Sequence, residues 1–509
     1  MKRIGIDVGG TNTDAVLLDG NEILAGIKTS TTADVLSGVR QALRDVTEAA
    51  GTRDVQAVMI GTTHFVNAVV QRRELSKVGA LRLGYPVSKS LPPFCDWPAD
   101  LAELVRGQVH QVEGGHDYDG RPIMPLDEKG VAEAARQMKA AGIDCIAISS
   151  VFSPLEPAME LRAGEIVREI FPGARITLSH ELGRIGLLER ENVALMNASL
   201  AHLAEHTVQA FENALKEAGI QAPLFITQND GTVIKAAIAE RFPVLSFASG
   251  PTNSMRGAAF LTGLKDALVC DVGGTTSDLG ALRAGFPREA NAVVEVGGVR
   301  TLFRMPDLLS IGLGGGSIVV PEPLSIGPRS VGFRLLQEAR VFGGSTLTTT
   351  DLAVAAGRFT LGDPSRVADL PKDLPARAFA HAAKMLEEAV DRMKTDAAPV
   401  PLLAVGGGAF LVPDKLAGIS EVLRPKHAAV ANAVGAAIAQ VSGEVDQVFQ
   451  GMSRAEALAE AEKIAREKAV EAGAKGESLS LVDLEDLPLA YMPGGALRVR
   501  ARVVGDIGA

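Results

Sequence analysis

Apolar residues open the chain as a short run, Ile4-Gly-Ile6, that stops at Asp7. After a glycine-rich turn the pattern resumes as Ala15-Val-Leu-Leu18, breaks at Asp19-Gly-Asn21 and returns as Ile23-Leu-Ala-Gly-Ile27. Short apolar runs punctuated by turn residues predict an antiparallel meander of three strands. Val35, Leu36, Val39, Leu43 and Val46 then recur at helical spacing, which predicts a helix after the meander. Further on the pattern alternates between strands and helices. Strands are expected at 55–60, 145–149 and 223–227, and helices near 128–141, 157–170 and 187–218. Residues 92–126, rich in Pro, Gly and Asp, read as an insertion or lid-like loop.

The opening pattern returns far along the chain. Ile4-Gly-Ile-Asp-Val-Gly-Gly-Thr-Asn-Thr-Asp14 is repeated as Leu268-Val-Cys-Asp-Val-Gly-Gly-Thr-Thr-Ser-Asp278, followed by a second apolar run, Leu279-Gly-Ala-Leu282. Repeats this far apart indicate two related lobes rather than a short-period array. A dinucleotide-binding or Walker loop runs from strand straight into helix, and the meander argues against both. Two more glycine runs follow, Ile311-Gly-Leu-Gly-Gly-Gly-Ser317 and Leu402-Leu-Ala-Val-Gly-Gly-Gly-Ala409. A helix is expected near 376–394, and the small-residue helix 428–442 is assigned to packing. The resulting division is a first lobe at 1–180, a connecting helical and α/β segment at 181–266, a second lobe at 267–450 and a small α+β appendage at 451–509.

Composition narrows the function classes. The chain's 509 residues exceed what one core serves. A net charge of −10 without a basic cluster argues against nucleic acid. No apolar window approaches a membrane span and no leader-like apolar stretch follows Met1, so a cytoplasmic protein is expected. Cys95, Cys145 and Cys270 are too scattered for a disulfide framework, a zinc site or an iron–sulfur bridge; Cys145 and Cys270 read as buried, inert thiols.

The chemistry sits in the glycine turns. Paired glycines let the backbone turn sharply and bring several amides to one concavity, where they can bind phosphate oxygens alongside threonine hydroxyls. An aspartate at the strand end offers a hard oxygen to a Mg²⁺ carried by the phosphates. Two such turns can hold a phosphate chain from opposite sides. Gly9, Gly10, Thr11 and Thr13 and their counterparts Gly273, Gly274, Thr275 and Thr276 are therefore the candidate grips, with Asp7 and Asp271 as the catalytic and metal-organising residues. Asp14 and Asp278 fit either that site or a hairpin cap. Gly314 and Gly315 are expected at the cleft, and Gly406, Gly407 and Gly408 against an adenosine. His64, Glu181, Asn229, Asp230 and Ser249 are candidate substrate contacts, each with a competing surface, salt-bridge or turn role.

Two Asp-x-Gly-Gly-Thr hairpins with a later glycine-rich adenosine loop resemble the actin, sugar-kinase and heat-shock ATPase superfamily. Within it, Gly61-Thr-Thr63 with Asn67-Ala68, Gln228-Asn-Asp-Gly-Thr232, Ser249-Gly-Pro251 and Ile311–Ile318 resemble the hydantoinase/oxoprolinase family. The third loop departs from that family's usual Gly-Gly-Ala-Gly-Pro, reading Gly406-Gly-Gly-Ala-Phe410, and His64 stands where an apolar residue is expected. The resemblance implies an α/β fold of two actin-like, ribonuclease H-like lobes with mixed sheets and an interlobe nucleotide cleft. It implies ATP and Mg²⁺, a cyclic amide such as a hydantoin or oxoproline as substrate, and ring opening through phosphorylation of the amide oxygen. A second hydantoinase-type subunit and homo-oligomerisation are left open. A small-molecule kinase, a carboxylase subunit and a non-catalytic actin-like module are the alternatives.

Overall fold

A computed structural model describes all residues except 10–11, 31–34, 184, 291–292, 303–304, 491–494 and 509. Strands Lys2–Val8, Asn12–Asp19 and Glu22–Ser30 form the expected meander, each pair antiparallel, and the helix Val35–Ala50 follows. Lys2–Val8 pairs on its other side, in parallel, with Ala57–Thr62. The second copy repeats this scheme. Ala267–Val272 is antiparallel to Ser277–Arg283 and parallel to Val400–Val405. The registers coincide as well, because Asp7 faces Asp14 across one hairpin and Asp271 faces Asp278 across the other. The chain therefore has two lobes of one plan, in an α/β fold with several sheets.

The apolar runs follow from how each sheet is covered. On Asn12–Asp19, Ala15 and Leu17 join the core under the helices Val35–Ala50 and Ala201–Glu217. Val16 and Leu18 point the other way, against Val434 and Ala437 of the helix Ala431–Ala437. A strand buried on both faces has no polar alternation, which is why this segment reads as an unbroken apolar run.

The expected division of the chain needs several corrections. The first lobe's sheet has nine strands and draws on distant segments. It continues from Ala57–Thr62 through Leu224–Thr227 and Val233–Lys235 to Val441–Phe449, Leu497–Gly505 and Ser480–Pro488. Residues 451–509 are thus joined to the first lobe rather than hung beside it. Their alternating Arg498 and Arg500 are half-buried on one face, Arg502 on the same face is buried against Asp230, and Leu497, Val499, Ala501 and Val503 pack under the helix Arg454–Glu471. Residues 78–178 form a separate four-stranded parallel sheet. The stretch 92–126 is not a lid: its strand Arg106–Glu113 is an edge of that sheet, beside Val78–Tyr85. The helix expected over 187–218 is two, Leu187–Ser199 and Ala201–Glu217, meeting at Leu200. No helix among the described residues is long and apolar enough to cross a membrane.

Two helices join the lobes. Ser249–Thr262 crosses Ala431–Ala437 so closely that a Cβ on Gly257 would stand 1.8 Å from the Ala431 carbonyl oxygen. A Cβ on Gly435 would stand 1.8 Å from the oxygen of Asn253. Only glycine permits this backbone-to-backbone contact.

Candidate active site

The two hairpin turns are closed identically. The Gly9 amide donates to the Asn12 carbonyl at 3.0 Å, and the Gly273 amide donates to that of Thr276 at 2.9 Å. These two amides therefore shape the turns. Gly274 and Thr276 are half-buried and Thr275 is exposed at the tip of the second turn, while Gly10 and Thr11 lie outside the described residues. Thr13 does not face the cleft: it is fully buried, and its hydroxyl lies beside Gly38 of the helix Val35–Ala50.

Asp7 is 5 % exposed and held at both oxygens. Oδ1 accepts from Asn253 Nδ2 at 3.1 Å, and Oδ2 from Asn432 Nδ2 at 3.0 Å. Burial pushes its carboxyl up to about 6; Asn253 and Asn432 oppose the shift, and the charges of Asp14 and Asp271 add to it. Asp271, from the other lobe, accepts from the Ser254 hydroxyl at Oδ2. Burial raises it too, with Ser254 and the Lys28 ammonium working against the shift and Asp14 adding to it. Each lobe's strand-end aspartate thus feels charge from the other lobe, and the two are bonded to neighbouring residues, Asn253 and Ser254, of one helix.

Asp14 and Asp278 are not hairpin caps. Lys28 Nζ lies 2.9 and 3.0 Å from the Asp14 oxygens, and Asn432 Nδ2 bridges Asp14 to Asp7 at 2.9 Å. Asp278 accepts from Ser310, and burial pushes its carboxyl up to about 6.

The remaining glycine runs brace the second hairpin. Gly314 and Gly315 are buried under it, with the Gly315 amide donating to the Gly273 carbonyl at 2.9 Å. The Gly314 amide donates to Ser317 Oγ at 2.8 Å, so both amides are spent internally, which corrects the expectation that these glycines line the cleft. Gly408 is likewise buried, donating to the Val272 carbonyl at 2.7 Å. Gly406, with φ of +84°, stands where a Cβ would come within 2.3 Å of Asp271 Oδ1. Gly407 is exposed, with nothing within 4 Å of where its Cβ would stand. The third loop therefore sits directly over Asp271.

Most of the expected substrate contacts are spent internally. Ser249 is fully buried and exchanges hydrogen bonds with the backbone of Thr62. Asn229 bonds the Val244 carbonyl and the Ala248 amide. Asp230 accepts from Thr232 and from Arg502 at 3.3 Å, and Glu181 pairs with Arg241 at 2.6 Å. These four hold turns and elements together, Ser249, Asn229 and Asp230 as buried polar groups must and Glu181 at the surface. His64 differs. It opens the helix His64–Gln71 just past Thr62, with a quarter of its side chain exposed and Glu74 4.0 Å away, and burial lowers its pKa. Sequence reasoning missed Asn253, Ser254 and Asn432. The signal was present in Asn432, a polar residue within the apolar run Ala431–Ala437.

The profile of the hydantoinase/oxoprolinase N-terminal region matches residues 3–171, and that of hydantoinase/oxoprolinase matches residues 190–363. The chain belongs to the hydantoinase/oxoprolinase family. Among its relatives, the caprolactamase subunit alpha of Pseudomonas jessenii is 27% identical over 384 residues, covering 70% of this chain and 54% of the relative. The acetophenone carboxylase gamma subunit of Aromatoleum aromaticum is 27% identical over 395 residues, covering 70% and 53%. The chain thus spans about half the length of these curated relatives. Among solved structures, the ATP-dependent caprolactamase from Pseudomonas jessenii superposes with a TM-score of 0.79 at 20% identity, covering 99% of this chain and 87% of that one. A nucleotide-free acetone carboxylase chain gives a TM-score of 0.70 at 20% identity, covering 100% and 88%. This family member therefore shares the fold of both a lactam-opening and a ketone-carboxylating enzyme.

Proposed function

We propose that the chain is the ATP-handling part of an enzyme that opens a cyclic amide, such as a lactam, hydantoin or oxoproline ring. One observation carries the reading: two strand-end aspartates, one from each lobe's hairpin, are held by adjacent residues of a single helix, Asn253 on Asp7 and Ser254 on Asp271. In this reading the turns around Gly9–Thr11 and Gly273–Thr276 hold the phosphates and the loop Gly406–Gly408 meets the adenosine. Asp7 and Asp271 would hold Mg²⁺. Their fit to a divalent cation rests on their chemistry, since both are hard oxygen donors whose negative charge is poorly solvated where it stands. Bound there, the cation would neutralise charge on the phosphates.

An unstrained amide is a poor electrophile. Transfer of the terminal phosphoryl group from ATP to the amide oxygen forms an O–P bond and releases ADP, leaving a carbon that water can attack. Overall, two waters are consumed, one in opening the C–N bond and one in releasing phosphate, and the products are the ring-opened acid (an amino acid from a lactam or oxoproline, a carbamoyl amino acid from a hydantoin), ADP and phosphate. Such transfer depends on positioning and charge neutralisation, so no side-chain nucleophile is needed. His64, partly exposed past the Thr62 strand end, is the remaining candidate for substrate contact.

The same activation of a carbonyl oxygen would serve ketone carboxylation, and the carboxylase relatives match at similar identity. The deciding measurement is phosphate release from Mg-ATP by the purified chain, with and without a co-expressed second subunit. It is run against caprolactam, hydantoin and 5-oxoproline, and against acetone and acetophenone with bicarbonate. Release tied to a ring-opened product supports the amide reading. Release only with ketone and bicarbonate gives the carboxylase, and a stable phosphorylated product would mean a kinase.

A further inference from the structure

The helix Ser249–Thr262 places two neighbouring side chains on aspartates of opposite lobes. Asn253 donates Nδ2 to Asp7 Oδ1 and also lies 3.1 Å from Thr227 Oγ1 in the first lobe. Ser254 donates its hydroxyl to Asp271 Oδ2 in the second. Neither side chain has room to drift. Asn253 is fully buried, and a Cβ on Gly61 would fall 2.3 Å from its Nδ2. The helix is itself locked, because the backbone of Asn253 touches Gly435 and that of Gly257 touches Ala431 on the crossing helix. That second helix supplies Asn432, which grips the other oxygen of Asp7.

Asn253 carries a cost that packing does not explain. Its Oδ1 is buried with no hydrogen-bond partner among the described residues. An unsatisfied buried carbonyl is destabilising, and a site selected only for packing would favour a small or apolar residue. Unpaired buried groups of this kind call for a functional explanation.

We propose that Asn253 and Ser254 are positioning residues that tie the strand-end aspartates of both lobes to one rigid helix, so that the helix sets the span between Asp7 and Asp271. The proposal rests on the reading of those aspartates as the metal-holding pair. A cation shared between two carboxylates needs their separation fixed in advance, since a misplaced ligand loses the second contact. Cutting either tie should release the span. Cutting both should do little more.

The test uses the full chain with ADP and Mn²⁺ and needs no knowledge of the organic substrate. The variants are Asn253→Ala, Ser254→Ala, the double variant and Ser254→Thr, which keeps the hydroxyl. ADP affinity without metal is measured by calorimetry, and Mn²⁺ binding to the protein–ADP complex by electron paramagnetic resonance. Each single alanine variant should raise the half-saturating Mn²⁺ concentration about tenfold, the weight of a hydrogen bond to a charged group. Metal-free ADP affinity should move less than about threefold, since among the described residues the two side chains bond only Asp7, Thr227 and Asp271. The double variant should also stand about tenfold above wild type, not a hundredfold, because coupled residues are non-additive. Ser254→Thr should bind Mn²⁺ as wild type does. Unchanged Mn²⁺ binding in the single variants, or a multiplicative loss in the double, overturns the proposal while leaving the nucleotide reading in place. A wild-type chain that binds no ADP overturns both. Thermal midpoints are recorded alongside: a variant losing Mn²⁺ only in proportion to lost folded protein counts against the proposal.

Discussion

Replacing Asp7 by Asn should abolish ATP turnover and yet relieve the metal-free protein of a charge it stabilises poorly. The carboxyl is pushed from 3.8 up to about 6, mainly by burial, at 5 % exposure. A raised carboxyl binds its proton more tightly in the folded than in the unfolded state. Its contribution to stability is therefore fully present below about pH 4 and is lost as pH rises through about 6. A carboxyl raised that far costs the folded protein about 3 kcal/mol of stability by pH 8. Asparagine carries no such charge, but it accepts with only one of the two oxygens that Asn253 and Asn432 now address. The unmatched amide costs about 1–3 kcal/mol at every pH. The net difference at pH 8 is thus small, and its pH dependence is the informative quantity. In EDTA and without nucleotide, urea unfolding of wild type and Asp7→Asn should give a stability difference that moves by about 2 kcal/mol between pH 8 and pH 4, in favour of wild type on acidification. The first transition is the one to follow, since two lobes need not unfold together. A pH-independent difference would refute the claim that Asp7 is a destabilised charge, and undiminished turnover by Asp7→Asn would remove it from the chemistry.

Other consequences are simpler to check. Gly406→Ala would drive a methyl to within 2.3 Å of Asp271 Oδ1 at a positive φ, so turnover should fall at least about a hundredfold with about 1–3 kcal/mol of stability, read by phosphate release and thermal melting. Ser249→Ala removes the tie between Thr62 and the linking helix, and should cost about 1–2 kcal/mol by denaturant titration without altering KM for the organic substrate. At pH 8, iodoacetamide should label Cys95 alone in the native protein and all three cysteines in urea, by mass spectrometry; Cys145 and Cys270 are buried, and burial pushes Cys145 up to about 12.

The parts of the fold readable from sequence were those governed by local pattern. The hairpins announce themselves because strand, glycine turn and strand are adjacent in the chain, and because the repeat Asp7–Asp14 and Asp271–Asp278 duplicates every element. The destination of 451–509 was not legible. Alternation in Leu497–Val503 establishes a strand with one buried face, but not which sheet edge receives it, and Val441–Phe449 supplies that edge from far upstream. Candidate substrate residues failed for a related reason. Polar side chains such as Asn229 and Ser249 occur in loops either because a ligand needs them or because buried backbone amides and carbonyls do. Only the three-dimensional partners, Ala248 and Thr62, distinguish the two.

The aspartates need partners from elsewhere because their own hairpins cannot offset the cost of ionising them. A hairpin alone can present a carboxylate at a strand end, but both carboxylates here are desolvated, and nearby like charges raise the cost of ionisation further. Neutral amides and hydroxyls can lower that cost without cancelling the charge, which lysine at the same place would do. Lys28 is instead kept to Asp14, beside the pair rather than within it. Asn253, Ser254 and Asn432 therefore leave Asp7 and Asp271 stabilised enough to ionise and still charged enough to attract a cation. Both crossing helices must lie in contact to deliver those donors, so the glycines at 257 and 435 serve the electrostatics of the aspartate pair as much as the packing of the lobes.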